Sequence, residues 1–300
     1  MRHILSLTKR NILLFFRDRL AVFFSFLSTI VLVALYFLFI GRMFANGIEQ
    51  SPESAAVIFP DGGVNFLVYI QMMAGVLILN SMSLTIGVFS TAAKDFETRR
   101  VDNFLLTRAK QHELLLSYTV SGFIVSFALN LFTWLLSFLL IGVLTGFFLS
   151  FGTFMMGVVI LIAASAISCA LMLLVTALVR SSTAMGVIGG IAGTFLGFLC
   201  GIYMPYSGLG GGTAAAGSFL PYTHLTIWMK RTLLNDALTQ LQVPAEANEF
   251  MMRDIFSAAN VGFAGIDKVP LAVMLGLCGV FAVLCFGAAW LVLKRRITKK

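Results

Sequence analysis

KDFETRRVDNFLLTRAKQHE, residues Lys94–Glu113, holds five of the chain's 21 basic residues and four of its 13 acidic ones. The 32 residues before it (Gly62–Ala93) and the 66 after it (Leu114–Val179) contain no Lys, Arg, Asp or Glu. A bare charge at the centre of a bilayer costs about 2.5–3.5 kcal/mol even on the mildest scale. A charged island between two such apolar runs therefore belongs in water, on one side of a membrane that the flanking runs cross.

The composition agrees. With 59% apolar and 11% charged residues and a mean hydropathy of +0.96, the chain has too little polar surface to cover a water-soluble globule. The runs are continuously apolar, not alternating as in an outer-membrane barrel, so the fold class is an all-α polytopic membrane protein. The net charge of +8 is unevenly spread. Residues 1–19, 94–113, Arg180 and 294–300 carry sixteen basic and five acidic groups, whereas 42–61 and 230–268 carry five basic and eight acidic. That asymmetry follows the positive-inside rule and suits anionic headgroups. It places both termini in the cytoplasm, in a cell membrane, and argues against nucleic acid as a partner. The four cysteines (Cys169, Cys200, Cys278, Cys285) lie in apolar runs without CxxC or metal spacing and read as small buried residues.

Working outward, residues 1–19 read as an amphipathic helix lying in the headgroup plane, with membrane lipids as its partner. His3, Arg10 and Arg17 recur every seven residues, and Ile4, Leu5, Ile12, Leu13, Phe15 and Phe16 supply apolar surface. About 20 apolar residues suffice to cross, which predicts six spans over 20–41, 64–93, 114–145, 152–179, 183–203 and 270–293. The turn between the third and fourth falls near Gly146–Gly152, and Ser181-Ser182-Thr183 is suited to N-cap the fifth. Residues 43–63, with Asn46-Gly47 and Asp61-Gly62-Gly63, read as a turn-rich loop. Residues 204–269 form an external helical lid. It has a flexible glycine-rich connection at Gly208–Ser218, a helix from Phe219 to about Gln242 dipping partly into the membrane, and a short helix at Pro244–Ala259. Gly189, Gly193, Gly197 and Gly201 form a four-residue ladder that lets another helix approach closely.

No catalytic set is visible. There is no HExxH or GxSxG motif, the three histidines are scattered, and no GxxxxGK[ST] loop is present. No carboxylate falls in a predicted span, which disfavours ion coupling. The chain is therefore expected not to be an enzyme, with no catalytic, cofactor-binding or metal residues of its own, and any work it does draws on another polypeptide. Asn80 in an apolar helix reads first as interhelical glue and second as a ligand contact.

The order of features resembles the membrane subunit of a type-2 ABC transporter. KRNILLFFRDRLAVFFSFLSTIV (Lys9–Val31) is similar to that family's in-plane connecting helix running into its first span. KDFETRRVDNFLLTRAKQHELLLSY (Lys94–Tyr118) is similar to its cytoplasmic segment between spans two and three. FLPYTHLTIWMKRTL (Phe219–Leu233) is similar to its external re-entrant region. Where many members carry a Pro, this chain has Thr107-Arg108-Ala109.

The resemblance implies a coupling helix at about Asp95–Leu106 that docks on a separate ATP-binding subunit, which holds ATP and Mg. The residues themselves suit such docking: Phe96, Val101, Phe104 and Leu105 can form an apolar face, and Glu97, Arg99, Arg100 and Asp102 offer pairing partners. The resemblance further implies a dimer with a second copy or a homologous membrane subunit, and an exporter of a lipophilic or amphipathic drug, toxin or peptide. The pathway would be lined by Asn80, Thr85, Phe89, Thr194 and Phe198. The competing readings are export of a lipid-linked glycan and a non-ABC channel or assembly factor.

Overall fold

The computed structural model describes residues 2–35, 41–50, 57, 59–101, 111–179, 181–201, 211–256 and 271–298. Every regular element among them is helical. In chain order they are α1 (Arg2–Arg17), α2 (Arg19–Leu35), α3 (Gly41–Glu49), α4 (Gly63–Glu97), α5 (Gln111–Thr145), α6 (Phe151–Val179), α7 (Ser182–Leu199), α8 (Gly211–Ser218), α9 (Pro221–Gln240), α10 (Ala245–Phe250), a π-turn (Met251–Ile255) and α11 (Leu271–Thr298). Five of them, α4, α5, α6, α7 and α11, are long and apolar enough to cross a membrane. The predicted first span, 20–41, overlaps α2, described over Arg19–Leu35 and not among those five; residues 36–40 lie outside the described part, and Gly41 begins α3.

Helix α4 is the mast. It is apolar on all sides, the signature of a helix surrounded by protein, and it is buried from Phe66 to Ala93 along nearly its whole length. Helices α5, α6, α7, α9 and α2 pack around it. Helix α11 lies against α6, and α1 against the start of α5. Side chains facing away from α4 on α5, such as Phe132, Leu136, Val143 and Leu144, are exposed, as a surface turned to lipid requires.

Many buried hydroxyls are satisfied within their own helices. Ser81, Thr85, Ser117, Ser121, Thr133, Ser137, Thr145 and Thr176 return their hydroxyls to carbonyls three or four residues earlier, which satisfies them without leaving the helix. Helix α5 ends at Thr145, and Gly146 turns the chain with φ +77, a conformation that glycine adopts without a Cβ penalty. Ser181 caps α7 by accepting from Ala184 N–H.

Two segments depart from the sequence reading. Residues 41–49 are a helix and not a turn-rich loop, because Phe44 and Ile48, one turn apart, are both buried and outweigh the Asn46-Gly47 turn signal. The glycine-rich connection is helical from Gly211 to Ser218, where Ala214, Ala215 and Ala216 supply propensity and α8 packs between α7 and α9.

Helix α9 reaches deeper than a surface lid. Its Tyr222 hydroxyl lies 2.9 Å from Ser168 Oγ, itself 3.3 Å from Ser81 Oγ. Ser81 is 18 residues into α4, about 27 Å from its Gly63 end at 1.5 Å per residue. At the other end of α9, Asp236 accepts from Ser150 N–H at 2.7 Å, in the α5–α6 turn. Helix α9 thus starts halfway along the bundle and runs antiparallel to α4 and α6 back to the surface.

The coupling segment and the buried polar clusters

The charged segment Lys94–Glu113 begins as a direct continuation of α4. The helix runs past the end of the predicted span through Lys94, Asp95, Phe96 and Glu97, then breaks in a turn at Thr98–Arg99. Arg99 takes φ +55, in the left-handed region, which costs a non-glycine residue about 1–2 kcal/mol. Helical structure resumes at Arg100–Val101. Asp102, Phe104 and Leu105 lie outside the described residues.

Within the segment the candidate residues divide. Val101 is buried, and the half-buried Phe96 ring lies 6.2 Å from that of Tyr118 on α5. These two apolar groups are seated in their own bundle. Arg99 and Arg100 are exposed. Glu97 is exposed as well, and its Oε2 accepts from both the backbone N–H and the hydroxyl of Ser182 at 3.1 and 3.0 Å. A carboxylate at the first turn of α7 also meets the positive end of that helix.

Asp95, absent from the candidate set, is the most connected of the group. It is 3% exposed. Its two oxygens accept from Arg10 of α1 at 2.8 and 3.1 Å in a fork, and Oδ2 also accepts from the Tyr118 hydroxyl at 2.9 Å. Arg100 stands 3.9 Å away. Burial alone would lower the Arg10 pKa, but the hydrogen bonds and charge of Asp95 outweigh it and hold the guanidinium more firmly protonated than usual. Bidentate, partly desolvated pairs of this kind are the strong class of charge-assisted bond.

The predicted pathway residues separate into two environments. Asn80, Thr85 and Phe89 are buried in α4. Asn80 Nδ2 donates to Asn130 Oδ1 and Thr133 Oγ1, both at 3.3 Å, and Asn130 donates to Leu77 O, so the interhelical role is the one observed. Phe89 faces Gly122, where an added Cβ would stand 2.6 Å from its ring. Thr194 and Phe198 lie instead on the exposed side of α7.

The glycine ladder divides likewise. A Cβ at Gly189 would meet Ile86 at 3.0 Å, so this step is a close approach to α4, whereas Gly193 faces open space. Gly197 and Gly201 are buried, and Gly201 has φ +66.

The sequence placed Lys230 in the external lid. It is 1% exposed, in the middle of α9. Its ammonium donates to Gly201 O, just beyond the end of α7, at 2.7 Å and to Phe256 O, just beyond the π-turn, at 3.4 Å. Gln71 of α4 donates to the same Phe256 carbonyl at 3.5 Å. A cation suits the negative end of a helix, and this one serves two. The apolar run Leu225–Met229 gave no sign that Lys230 would share its interior position; the signal was the one-turn spacing Thr226, Lys230, Leu233, Leu234, Ala237, all on the buried side.

Among the described residues, no group of three His, Cys, Asp or Glu side chains stands where it could share a metal ion. Comparison with curated proteins gives no match. Residues 64–291, from the start of α4 into the last turns of α11, match the family described as ABC-2 family transporter protein. That match spans well over half of the chain, and it agrees with a bundle of apolar helices interrupted by one charged segment: the protein is a multi-pass membrane permease of the ABC-2 transporter family.

Proposed function

We propose that the chain is the transmembrane subunit of an ATP-driven exporter, working as a dimer and moved by a separate ATP-binding subunit that carries ATP and Mg. The observation that carries the reading is the course of α4. One helix, packed on every side by other helices, continues unbroken into the charged segment before turning at Thr98–Arg99. A push on residues 94–97 reaches the centre of the bundle along one helix, and the docking residues are joined to it by the two-residue turn at Thr98–Arg99.

In this reading residues 94–113 lie in the cytoplasm with both termini. The exposed Arg99 and Arg100, with Asp102 and Phe104, form the docking surface, while Phe96 and Val101 anchor the segment to its own bundle. Closure of two ATPase subunits displaces the segments, and the spans alternate between inward- and outward-facing arrangements. The chain itself performs no hydrolysis. The broad apolar faces of α5, α7 and α11 favour a lipophilic or amphipathic substrate that arrives from the bilayer.

Affinity purification of the chain from its own cells tests the partnership: an ATPase with a GxxxxGK[ST] loop should co-purify at about one per chain. Phe104→Ala combined with Arg100→Glu should release it. Retention of the ATPase, and of ATP-driven transport, by the double variant would rule out docking at this segment.

A further inference from the structure

Asp95 and Glu97 are two residues apart on one helix, which sets their side chains about 200° apart around its axis. They consequently reach opposite neighbours. Asp95 takes four donor or cationic groups, from Arg10, Tyr118 and Arg100, in a buried setting. Glu97 takes two hydrogen bonds from Ser182 in an exposed one.

The two ties differ in strength. Buried charge-assisted forks are the strong class, whereas exposed polar contacts contribute little and are screened by salt. The polar contacts follow the same division. Helices α4 and α5 are further joined by Asn80, Asn130 and Thr133, and α1, α4 and α5 share the buried cluster Phe15, Val88 and Val125. Helix α7 packs along α4 through apolar side chains, with Met185 and Leu196 in the shared core and a close approach at Gly189, and among the described residues Glu97 of α4 accepts the side-chain hydrogen bonds that join the two at their cytoplasmic ends.

We propose that Asp95 and Glu97 are positioning residues that divide the motion of the cytoplasmic segment. Asp95 binds α1, α4 and α5 into one rigid body, and the Glu97–Ser182 bond is the catch at which α7 releases from that body. The inference rests on the proposed ATP-driven mechanism for its purpose, and on the geometry alone for its mechanics.

Spin labels test it in both respects. The native cysteines Cys169, Cys200, Cys278 and Cys285 are all buried, so labels can be directed to exposed positions: Lys94→Cys on α4, Thr183→Cys on α7 and Leu116→Cys on α5. In the chain alone, Glu97→Ala should broaden the 94–183 distance distribution and leave 94–116 unchanged. Asp95→Asn should broaden 94–116, and Glu97→Gln, which keeps an acceptor, should restore much of the 94–183 distribution. If Glu97→Ala leaves 94–183 as in the parent chain, or broadens both distances equally, the division is wrong whatever becomes of the ATPase reading.

In the co-purified complex, ATP with Mg should shift 94–183 by about 1–5 Å, between a helix shift and a one-turn ratchet in switching proteins, with 94–116 fixed. A shift in 94–116, or no shift in 94–183 while ATP is hydrolysed, overturns the proposal. Absence of any ATP-hydrolysing partner defeats the functional reading instead, and the result in the isolated chain then decides the mechanics.

Discussion

Lys230 offers a test in which two opposing effects can be weighed. Replacing it with Met keeps the length of the side chain and removes the charge. The Gly201 carbonyl then loses its 2.7 Å partner, whereas the Phe256 carbonyl keeps Gln71. One orphaned buried carbonyl costs about 1–3 kcal/mol, and the lost charge at the end of α7 adds about 0.3–1 kcal/mol, up to ~2 in buried geometry. Against this, the desolvation of the ammonium, several kcal/mol, no longer has to be met. Lys230→Met is therefore expected to lie within about 2 kcal/mol of the parent. Lys230→Glu faces the same carbonyl acceptors with a carboxylate, or must bury a protonated acid, and should be destabilised well beyond the Met variant. Thermal midpoints of the detergent-solubilised protein, read as the monodisperse fraction left after heating, measure the difference. At about 2–4 °C per kcal/mol, Lys230→Met should fall by less than about 8 °C and Lys230→Glu by clearly more. Equal midpoints for the two variants would refute the assignment of Lys230 as a donor held by helix-end carbonyls.

Other predictions follow from close packing and from the polar pairs. Gly122→Ala drives a methyl to within 2.6 Å of the Phe89 ring and should cost about 1–3 kcal/mol, whereas Gly193→Ala, which meets open space, should leave the midpoint unchanged. Asn80→Leu should lose about 0.6 kcal/mol and at most ~1.7; a cycle with Asn130→Leu should show coupling of that size, and additivity would mean that the pair contributes nothing. Asp95→Asn removes the charge from the part-buried Arg10–Asp95 fork, at a cost of about 1.5–3 kcal/mol for charge-assisted hydrogen bonds; the paired exchange Arg10→Asp with Asp95→Arg should recover part of it in the same melting assay.

Much of the architecture was legible because the bilayer allows few solutions. The charge gaps on either side of Lys94–Glu113 located α4, α5 and α6, and the turn at Gly146 and the cap at Ser181 came from local chemistry. What could not be read were choices made by tertiary contact. The apolar pair Phe44 and Ile48 makes a helix of a segment written in turn residues. Lys230 and Arg231 are adjacent in sequence, yet a 100° rotation along α9 buries the first and exposes the second. The charged residues of the central segment were read as pairing partners for another protein. The two-residue offset of Asp95 and Glu97 was visible, but their partners, Arg10 and Ser182, lie 85 residues away in either direction. Asn80 was the converse case, where a polar side chain in an apolar helix pointed to glue and its partner Asn130 supplied it.

The half-depth course of α9 bears on how the protein is made. A helix that carries His224 and Lys230 toward the middle of the bundle is poorly suited to partition into lipid as a lone segment during synthesis, because no carbonyl cradle awaits its ammonium there. Most of its cradle, α4, α6 and the Gly201 carbonyl at the end of α7, precedes it in the chain, and the Phe256 carbonyl is added from the segment that follows. Biogenesis then has an order written into it: the earlier spans assemble with a vacant slot, and α9 folds into that slot afterwards, from the side on which α5 turns into α6.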